Sequence, residues 1–212
     1  RALAAGFAPD DIIFGGVGKT EHELGEALDA NILFLNAESE AEVRIIDRLA
    51  RERGVKARVS LRVNPEITLD TPHDYIKTAE RGHKFGIPYD EAVHAARLAH
   101  DLPNTELLGL DMHLGSQLTT LEPYRRGTER LVVLCLAIQR EGIDTFEYLD
   151  IGGGLGVRYF AEDEPDVEDE RQHVRQRAAD DDLGRERAVE PGLDLVAEAA
   201  EPDEGGDGDE AY

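Results

Sequence analysis

Six short apolar segments, most of them followed by glycine or a polar turn, recur along the chain with helix-like segments between them. Their length of three to seven residues and their content of Val, Ile, Leu and Phe predict buried β-strands. Nearly continuous apolar strands of this kind are typical of a parallel sheet that is covered on both faces. The predicted strands are 12–14, 32–35, 57–63, 107–113 and 146–151, with a weaker sixth at 187–190.

Three of the intervening segments carry apolar residues at helical spacing. The first, 39–53, begins with Ser39 and a glutamate three residues later, which is a helix-capping pattern, and it then places Val43 and Ile46 on one stripe. The other two predicted helices are 88–100 and 121–141. Strands that alternate with helices in this way predict an α/β fold with a parallel sheet.

Polar and glycine-rich motifs fall at the carboxyl ends of the predicted strands. These motifs are Asn64-Pro65, His113, Gly152–Gly154 and Glu190–Gly192. In a (β/α)8 TIM barrel the carboxyl ends of the strands form the rim of the active site. Six strands are two short of a closed barrel, so the prediction is an incomplete barrel. No Gly-x-Gly-x-x-Gly turn follows the first strand, which weakens the case for a dinucleotide-binding doubly wound sheet.

The chain of 212 residues is strongly acidic, with 46 acidic and 23 basic side chains and a net charge of −23. Such a surface repels nucleic acids and anionic membranes, so neither is an expected partner. The charge is uneven, because residues 161–212 carry −15 and residues 1–160 carry −8. Two interpretations stay open: a protein adapted to high salt, or a cytosolic protein with a disordered acidic tail. The acidic body and the small number of lysines favour salt adaptation. The lysines are Lys19, Lys56, Lys77 and Lys84.

Length and composition suggest one domain, or part of a larger one, with a tail. Residues 1–200 are expected to form the partial barrel, with a weak exposed helix over 161–182, and residues 201–212 a disordered acidic tail. No apolar run reaches the roughly 18 residues of a transmembrane helix. The chain begins at Arg1 without a basic-then-apolar leader, so a cytoplasmic protein is expected. The single cysteine, Cys135, excludes a disulfide framework and a cysteine-built zinc site, and it is predicted to be a buried hydrophobe.

Two glycine-rich segments invite comparison with phosphate-binding loops. In the segment Gly15–Thr20, Ile13 stands where a P-loop requires glycine, so we predict an ordinary strand-to-helix turn with Lys19 at the start of a helix. Gly152–Gly156 follows a predicted strand, and its backbone N–H groups could form an anion-binding nest or an ordinary turn.

The remaining strand ends add an imidazole and a carboxylate. His113 is followed three residues later by Ser116. The flat imidazole could stack on an aromatic ring of a ligand, and the hydroxyl could hold an anionic group beside that ring. Glu190 in Glu190–Gly192 is a carboxylate on a rigid turn, and a carboxylate facing a ring nitrogen keeps that nitrogen protonated. Together with the triple glycine, these residues point to a phosphate-bearing heteroaromatic cofactor. No metal site is predicted.

This set of motifs resembles the fold-III pyridoxal-phosphate decarboxylases, and within them most closely the diaminopimelate decarboxylases. The resemblance runs in order from Arg1 to about Ala199. The matching segments are Gly16–Thr20, Asn36–Ser39, Arg62–Pro65, Lys84–Ile87, His113–Gln117, Gly152–Gly156 and Glu190–Gly192.

The resemblance implies pyridoxal 5'-phosphate as the cofactor and a barrel of the alanine racemase type. His113 would stack on the pyridoxal ring, with Arg62 in the wall behind it, and Glu190 would pair with the pyridinium nitrogen. The phosphate would be held by Ser116, Gly153, Gly154 and Gly192, and Pro191 and Leu193 complete the last cofactor motif. The family's active sites form at a homodimer interface, and its barrel is followed by a β domain.

The chain departs from this family in three respects. The family's Schiff-base lysine lies on a first barrel strand, and no lysine here has that context, since Lys19 belongs to a later motif. Leu193 stands where the family has arginine. The C-terminal β domain and the first two strands have no counterpart in the sequence. We therefore expect a fragment or a damaged copy of the enzyme, inactive in isolation.

Three functions remain open at this level. The first is decarboxylation of meso-2,6-diaminopimelate to L-lysine in lysine biosynthesis. The second is a non-catalytic remnant of the barrel, and the third is a related fold-III decarboxylase acting on ornithine, arginine or carboxynorspermidine.

Overall fold

The computed structural model describes residues 1–67 and 85–156 and the backbone of residues 194–196. The described strands are β1 (Ile13–Phe14), β2 (Phe34–Ala37), β3 (Ala57–Asn64), β4 (Ile87–Pro88), β5 (Thr105–Asp111), β6 (Tyr148–Asp150) and β7 (Asp194–Val196). The described helices are α1 (Glu21–Ala30), α2 (Glu40–Arg53), α3 (Ala92–Asp101) and α4 (Glu122–Arg140), and two 3-10 turns precede β1 at Leu3–Ala5 and Pro9–Asp11.

The strands form one parallel sheet in which spatial order follows chain order, β1-β2-β3-β5-β6-β7, with β4 beside β3. Right-handed crossovers between parallel strands that never reverse their order place all the connecting helices on one face of the sheet. Such a sheet curls with its helices outside, as in a (β/α)8 barrel, whereas a doubly wound sheet reverses at its centre. The predicted partial barrel is confirmed.

The helices begin where the sequence provides side-chain caps. Thr20 and Glu23 form a reciprocal capping box at the start of α1, and Ser39 caps α2 by accepting a bond from the third backbone N–H of that helix. Gly54 ends α2 in the left-handed conformation that glycine adopts without strain. Both predicted starts, the helix after Lys19 and the helix 39–53, are confirmed.

The two faces of β3 show how the core and the site are separated. Val59, Leu61 and Val63 are buried in the main apolar core with the helices. Because side chains alternate along a strand, Ser60 and Arg62 point to the opposite, inner face of the sheet. The inner face is thus partly polar, and these polar side chains line the approach to the strand ends.

A second core fills the inner face beneath those strand ends. Phe34 of β2 lies against Tyr148 of β6, with ring centroids 5.3 Å apart. Asn36 and Asp150 follow two residues later on the same strands, so they form the next layer towards the carboxyl ends. This layering places a polar tier above an aromatic one.

The predicted helix 88–100 begins too early. Ile87 and Pro88 are extended and pair with Val63 and Asn64, and the helix itself starts at Ala92. Proline disfavours the helical conformation in the residue before it, so Ile87 joins the sheet instead. The strand β4 was not predicted, since two residues are too few to produce a periodic signal.

Helix α4 agrees with its predicted span of 121–141 to within one residue at each end. Its buried face includes Leu131, Leu134 and Ile138, each of which contributes roughly 1.5–3 kcal/mol by leaving water. Cys135 lies on the same face and is buried, as predicted.

Some predictions fall on residues outside the described part of the chain. These are the strand 187–190, the helix 161–182, the acidic tail 201–212 and the boundary at residue 200. The described parallel neighbour of β6 is 194–196, just beyond the predicted strand. Among the described residues, no helix has both the length and the apolar character needed to span a bilayer.

Candidate functional site

Two loops meet at the carboxyl ends of β5 and β6. The loop after β5 contains His113 and Ser116, and the loop after β6 contains the triple glycine. The backbone N–H of Leu118 donates to Gly154 O at 2.9 Å, and the N–H of Gly156 donates to Leu118 O at 2.9 Å. These two hydrogen bonds extend the parallel pairing of β5 and β6 into the loops and hold the loops side by side.

The contact between the loops is so close that it requires glycine. A Cβ atom built on Gly154 would lie far inside 3.0 Å of the carbonyl oxygen of Gly115, and one on Gly152 would also clash, less severely, with Met112 O. Both glycines also have positive φ, +92° and +71°, a conformation that other residues adopt only with strain. The result is backbone packed on backbone, with Ser116 beside Gly154.

His113 lies at the same junction. A Cβ on Gly152 would come within 3.3 Å of His113 Nδ1, so the imidazole is seated against the glycine loop. Burial lowers the pKa of His113, the charge of Arg62 lowers it further, and Glu38 acts in the opposite direction. The ring is therefore neutral at pH 7 and can present a flat, uncharged face.

Arg62 is held in place by acidic neighbours on both sides. Its Nη1 donates to Glu38 Oε1 at 2.6 Å, and its Nε lies 4.0 Å from Asp111 Oδ2 on the adjacent strand. Glu38 also accepts the backbone N–H of Gly86 at 3.2 Å, which ties the start of β4 to the end of β2. Since the Arg62 side chain is only 11% exposed, its position is fixed by this pair and by packing.

Asp150 links the glycine loop to the far side of the sheet. Its Oδ1 accepts the backbone N–H of Gly152 at 2.9 Å, and its Oδ2 accepts Asn36 Nδ2 at 3.1 Å. Burial raises the pKa of Asp150, while the hydrogen bonds and the charge of Arg62 oppose that rise. The amide oxygen of Asn36, Oδ1, is buried and has no hydrogen-bond partner among the described residues.

The triple-glycine loop is also bonded from the helix side. Tyr124, in the first turn of α4, donates its hydroxyl to Gly153 O at 2.7 Å. The loop is therefore held at Gly152 by Asp150, at Gly153 by Tyr124 and at Gly154 by the backbone of the neighbouring loop.

The structure brings together five of the nine residues predicted for the cofactor site. His113, Ser116, Gly153 and Gly154 lie at the junction of the two loops, and Arg62 is close enough for its charge to affect the imidazole. The other four, Glu190, Pro191, Gly192 and Leu193, lie outside the described residues.

Sequence reasoning assigned no role to the side chains that support this junction, although Asn36 and Glu38 lie in a segment that matches the family. Their shared signal is a polar residue on the inner face at a strand end, or, for the tyrosine, a position in the first turn of a helix. These supporting residues are Asn36, Glu38, Asp111, Tyr124 and Asp150.

The junction has the chemical character of an anion site. Gly152 and Gly154 have positive φ, the backbone of Ser116 lies beside Gly154, and successive backbone N–H groups in such turns bind phosphate. A neutral imidazole beside it suits an aromatic ring. Within the described ranges, no three His, Cys, Asp or Glu side chains gather as a metal site would require.

The comparisons with known proteins agree with this geometry. The model of the family described as "Pyridoxal-dependent decarboxylase, pyridoxal binding domain" matches residues 1–197. The chain belongs to this family. The match confirms the predicted resemblance to the pyridoxal-phosphate decarboxylases and the predicted cofactor.

Similar proteins of this family include the diaminopimelate decarboxylases of Vibrio cholerae, 44% identical over 203 residues, and Pseudomonas aeruginosa, 44% identical over 199 residues. Each match covers 94% of this chain and 47% of the relative, so the chain spans about half the length of these curated relatives.

Solved structures of the family share the fold. The Helicobacter pylori diaminopimelate decarboxylase complexed with L-lysine is 36% identical with a TM-score of 0.77, covering 93% of this chain and 47% of that one. The M. jannaschii enzyme in co-complex with L-lysine is 28% identical with a TM-score of 0.73, covering 92% of this chain and 45% of that one.

Proposed function

We propose that the chain is the cofactor-binding part of a decarboxylase that converts meso-2,6-diaminopimelate to L-lysine and carbon dioxide. The observation that carries the proposal is the junction of the His113 loop with the triple-glycine loop at the mouth of a parallel sheet. Support for the substrate comes from relatives 44% identical that are named diaminopimelate decarboxylases and from related structures that hold L-lysine, the expected product.

In this proposal each residue of the junction has a binding or orienting role. The phosphate is bound by the Ser116 hydroxyl and the backbone of Gly153 and Gly154. His113 stacks on the pyridine ring in its neutral form, and Arg62 supports it from behind. Bound pyridoxal phosphate supplies an electron-withdrawing ring that stabilises the negative charge left when the carboxyl group departs.

The last cofactor motif completes the proposed site. Glu190 keeps the ring nitrogen protonated, Gly192 contributes to phosphate binding, and Pro191 makes the turn rigid. Leu193 supplies no positive charge where the family has arginine, so the proposed affinity for the cofactor is lower than in a family member with that arginine.

A chimera tests the proposed function. The matching stretch of the Vibrio cholerae diaminopimelate decarboxylase is replaced by residues 1–197 of this chain. Lysine release from meso-diaminopimelate is then measured, and carbon dioxide release from ornithine and from arginine is measured for comparison. The expected result is lysine release from diaminopimelate with little turnover of the other two. His113→Ala in the same chimera is the negative control, and Leu193→Arg is expected to raise cofactor affinity.

Two results would contradict the proposal. A folded chimera that binds pyridoxal phosphate but turns over only ornithine or arginine would support a different decarboxylase. A folded chimera that binds no cofactor would support the non-catalytic remnant. The 212-residue chain alone is expected to release no lysine, because no lysine in its sequence has the Schiff-base context.

The proposal also covers the oligomeric state of the protein, its compartment and the salt concentration it is adapted to. Active sites in this account form in a homodimer in the cytoplasm, and the small number of lysines and the net charge of −23 suit a medium of high salt. Light scattering of the chimera and a salt series on the chain test these two extensions separately.

A further inference from the structure

Tyr124 approaches the triple-glycine loop from outside the sheet. It lies in the first turn of α4, is 7% exposed, and donates its hydroxyl to Gly153 O at 2.7 Å. Burial raises the pKa of Tyr124 to about 12, so the hydroxyl keeps its proton and remains a donor across the physiological pH range.

The direction of this hydrogen bond fixes the direction of a second group. Gly153 O and the N–H of Gly154 belong to the same trans peptide, in which the C=O and N–H bonds point to opposite sides. Because the carbonyl is held towards α4, the N–H of Gly154 points away from α4, to the side where the proposed phosphate is bound.

Nothing in the loop's own covalent structure enforces this orientation. Glycine populates positive and negative φ about equally, so a peptide between two glycines can rotate with little steric resistance. Asp150 holds the preceding residue, Gly152, by its backbone N–H. The peptide between Gly153 and Gly154 needs a restraint of its own, and the Tyr124 hydroxyl provides one.

From this geometry we infer that Tyr124 is a positioning residue for phosphate binding, because its hydroxyl presents the Gly154 N–H to the phosphate group of the cofactor. The inference rests on the proposed function. It assigns no role to Tyr124 in the reaction itself, since the side chain lies behind the loop.

The test compares two ligands that differ only in the phosphate. Pyridoxamine 5'-phosphate and pyridoxamine lack an aldehyde, so neither forms Schiff bases with surface lysines. Their affinities for the 212-residue chain are measured by fluorescence titration for wild type and for Tyr124→Phe. We expect Tyr124→Phe to bind pyridoxamine 5'-phosphate about five- to tenfold more weakly and pyridoxamine unchanged, because one pre-set hydrogen bond to a charged group is weakened.

Tyr89→Phe is a matched control. Tyr89, like Tyr124, donates its hydroxyl to a backbone carbonyl, but its partner is Arg130 O at 2.9 Å, in the body of α4 and not in the glycine loop. Phenylalanine fills nearly the same space at both positions, so both variants should fold, and their unfolding midpoints are recorded beside the titrations. Tyr89→Phe is expected to bind both ligands as wild type does.

The outcomes separate the inference from the proposed function. Equal affinity of wild type and Tyr124→Phe for the phosphorylated ligand overturns the inference and leaves the proposed function intact. An equal loss for both ligands also overturns it, since that marks a general structural role. If wild type prefers neither ligand, the proposed function fails and the inference fails with it.

Discussion

Replacing Gly154 with alanine tests the close contact between the two loops. The added Cβ meets two penalties: the residue has φ +92°, and the new atom would overlap the carbonyl oxygen of Gly115. The oxygen or the glycine loop must then retreat by about 1 Å or more to restore an ordinary contact.

Gly142 allows these penalties to be separated. It has a similar φ of +86°, and a Cβ built there has no atom within 4 Å. Gly142→Ala should therefore lose only the conformational term, about 1–2 kcal/mol of unfolding free energy. Gly154→Ala should lose that amount and a further ~1–3 kcal/mol from overpacking against rigid backbone.

Urea denaturation followed by circular dichroism measures this difference in unfolding free energy directly. Titration with pyridoxamine 5'-phosphate adds a functional readout, because a loop displaced by about 1 Å loses at least one hydrogen bond to the phosphate. We expect Gly154→Ala to bind roughly 10- to 100-fold more weakly and Gly142→Ala to bind as wild type does. Equal destabilisation by the two alanines, with unchanged binding by both, would refute the described packing of the loops.

Three further predictions concern charges. Arg62→Gln removes a positive charge and frees Glu38 from its ion pair, so the pKa of His113 should rise in an NMR titration. Arg58→Gln, at the other end of the same strand, should leave that pKa unchanged. An unchanged pKa in both variants would exclude the electrostatic coupling of Arg62 to His113. Burial raises the pKa of Asp150, so the folded state binds a proton there more tightly than the unfolded state does. The resulting contribution to the unfolding free energy is full below the unfolded-state pKa and is lost as the pH rises through the folded-state pKa. Wild type should thus lose stability relative to Asp150→Asn in urea unfolding as the pH rises above the ordinary aspartate pKa of about 4, and parallel curves would count against a buried carboxyl. The unfolding midpoint should rise as sodium chloride screens the net charge of −23 from about 0.1 to 1 M, and a falling midpoint would favour the cytosolic interpretation.

The strand-end motifs could be predicted from the sequence because they depend on local signals. An apolar run predicts a strand, and in a parallel sheet every strand presents its carboxyl end to the same edge. The sequence therefore predicts His113 and Gly152–Gly154 at one edge of the sheet. The hydrogen bonds that Leu118 makes with Gly154 and Gly156 are the structural consequence.

The supporting contacts could not be predicted, because they depend on distances across the curled sheet. Asn36 and Asp150 are 114 residues apart, and they meet only because the sheet curls until β2 approaches β6. The bond from Tyr124 to Gly153 depends on the rotation of α4 about its axis. At Ile87 and Pro88 the proline is a local signal against helix, but the pairing with Val63 and Asn64 that forms β4 depends on contacts across the sheet.

The most direct test of the account is whether both loops bind one ligand. In a ¹⁵N-labelled chain titrated with pyridoxamine 5'-phosphate, the amide signals of Ser116, Gly153 and Gly154 should shift together and yield a single dissociation constant. Pyridoxamine, which lacks the phosphate, should shift them far less. Shifts confined to one loop, or different dissociation constants for the two loops, would contradict a shared phosphate site at the mouth of this barrel.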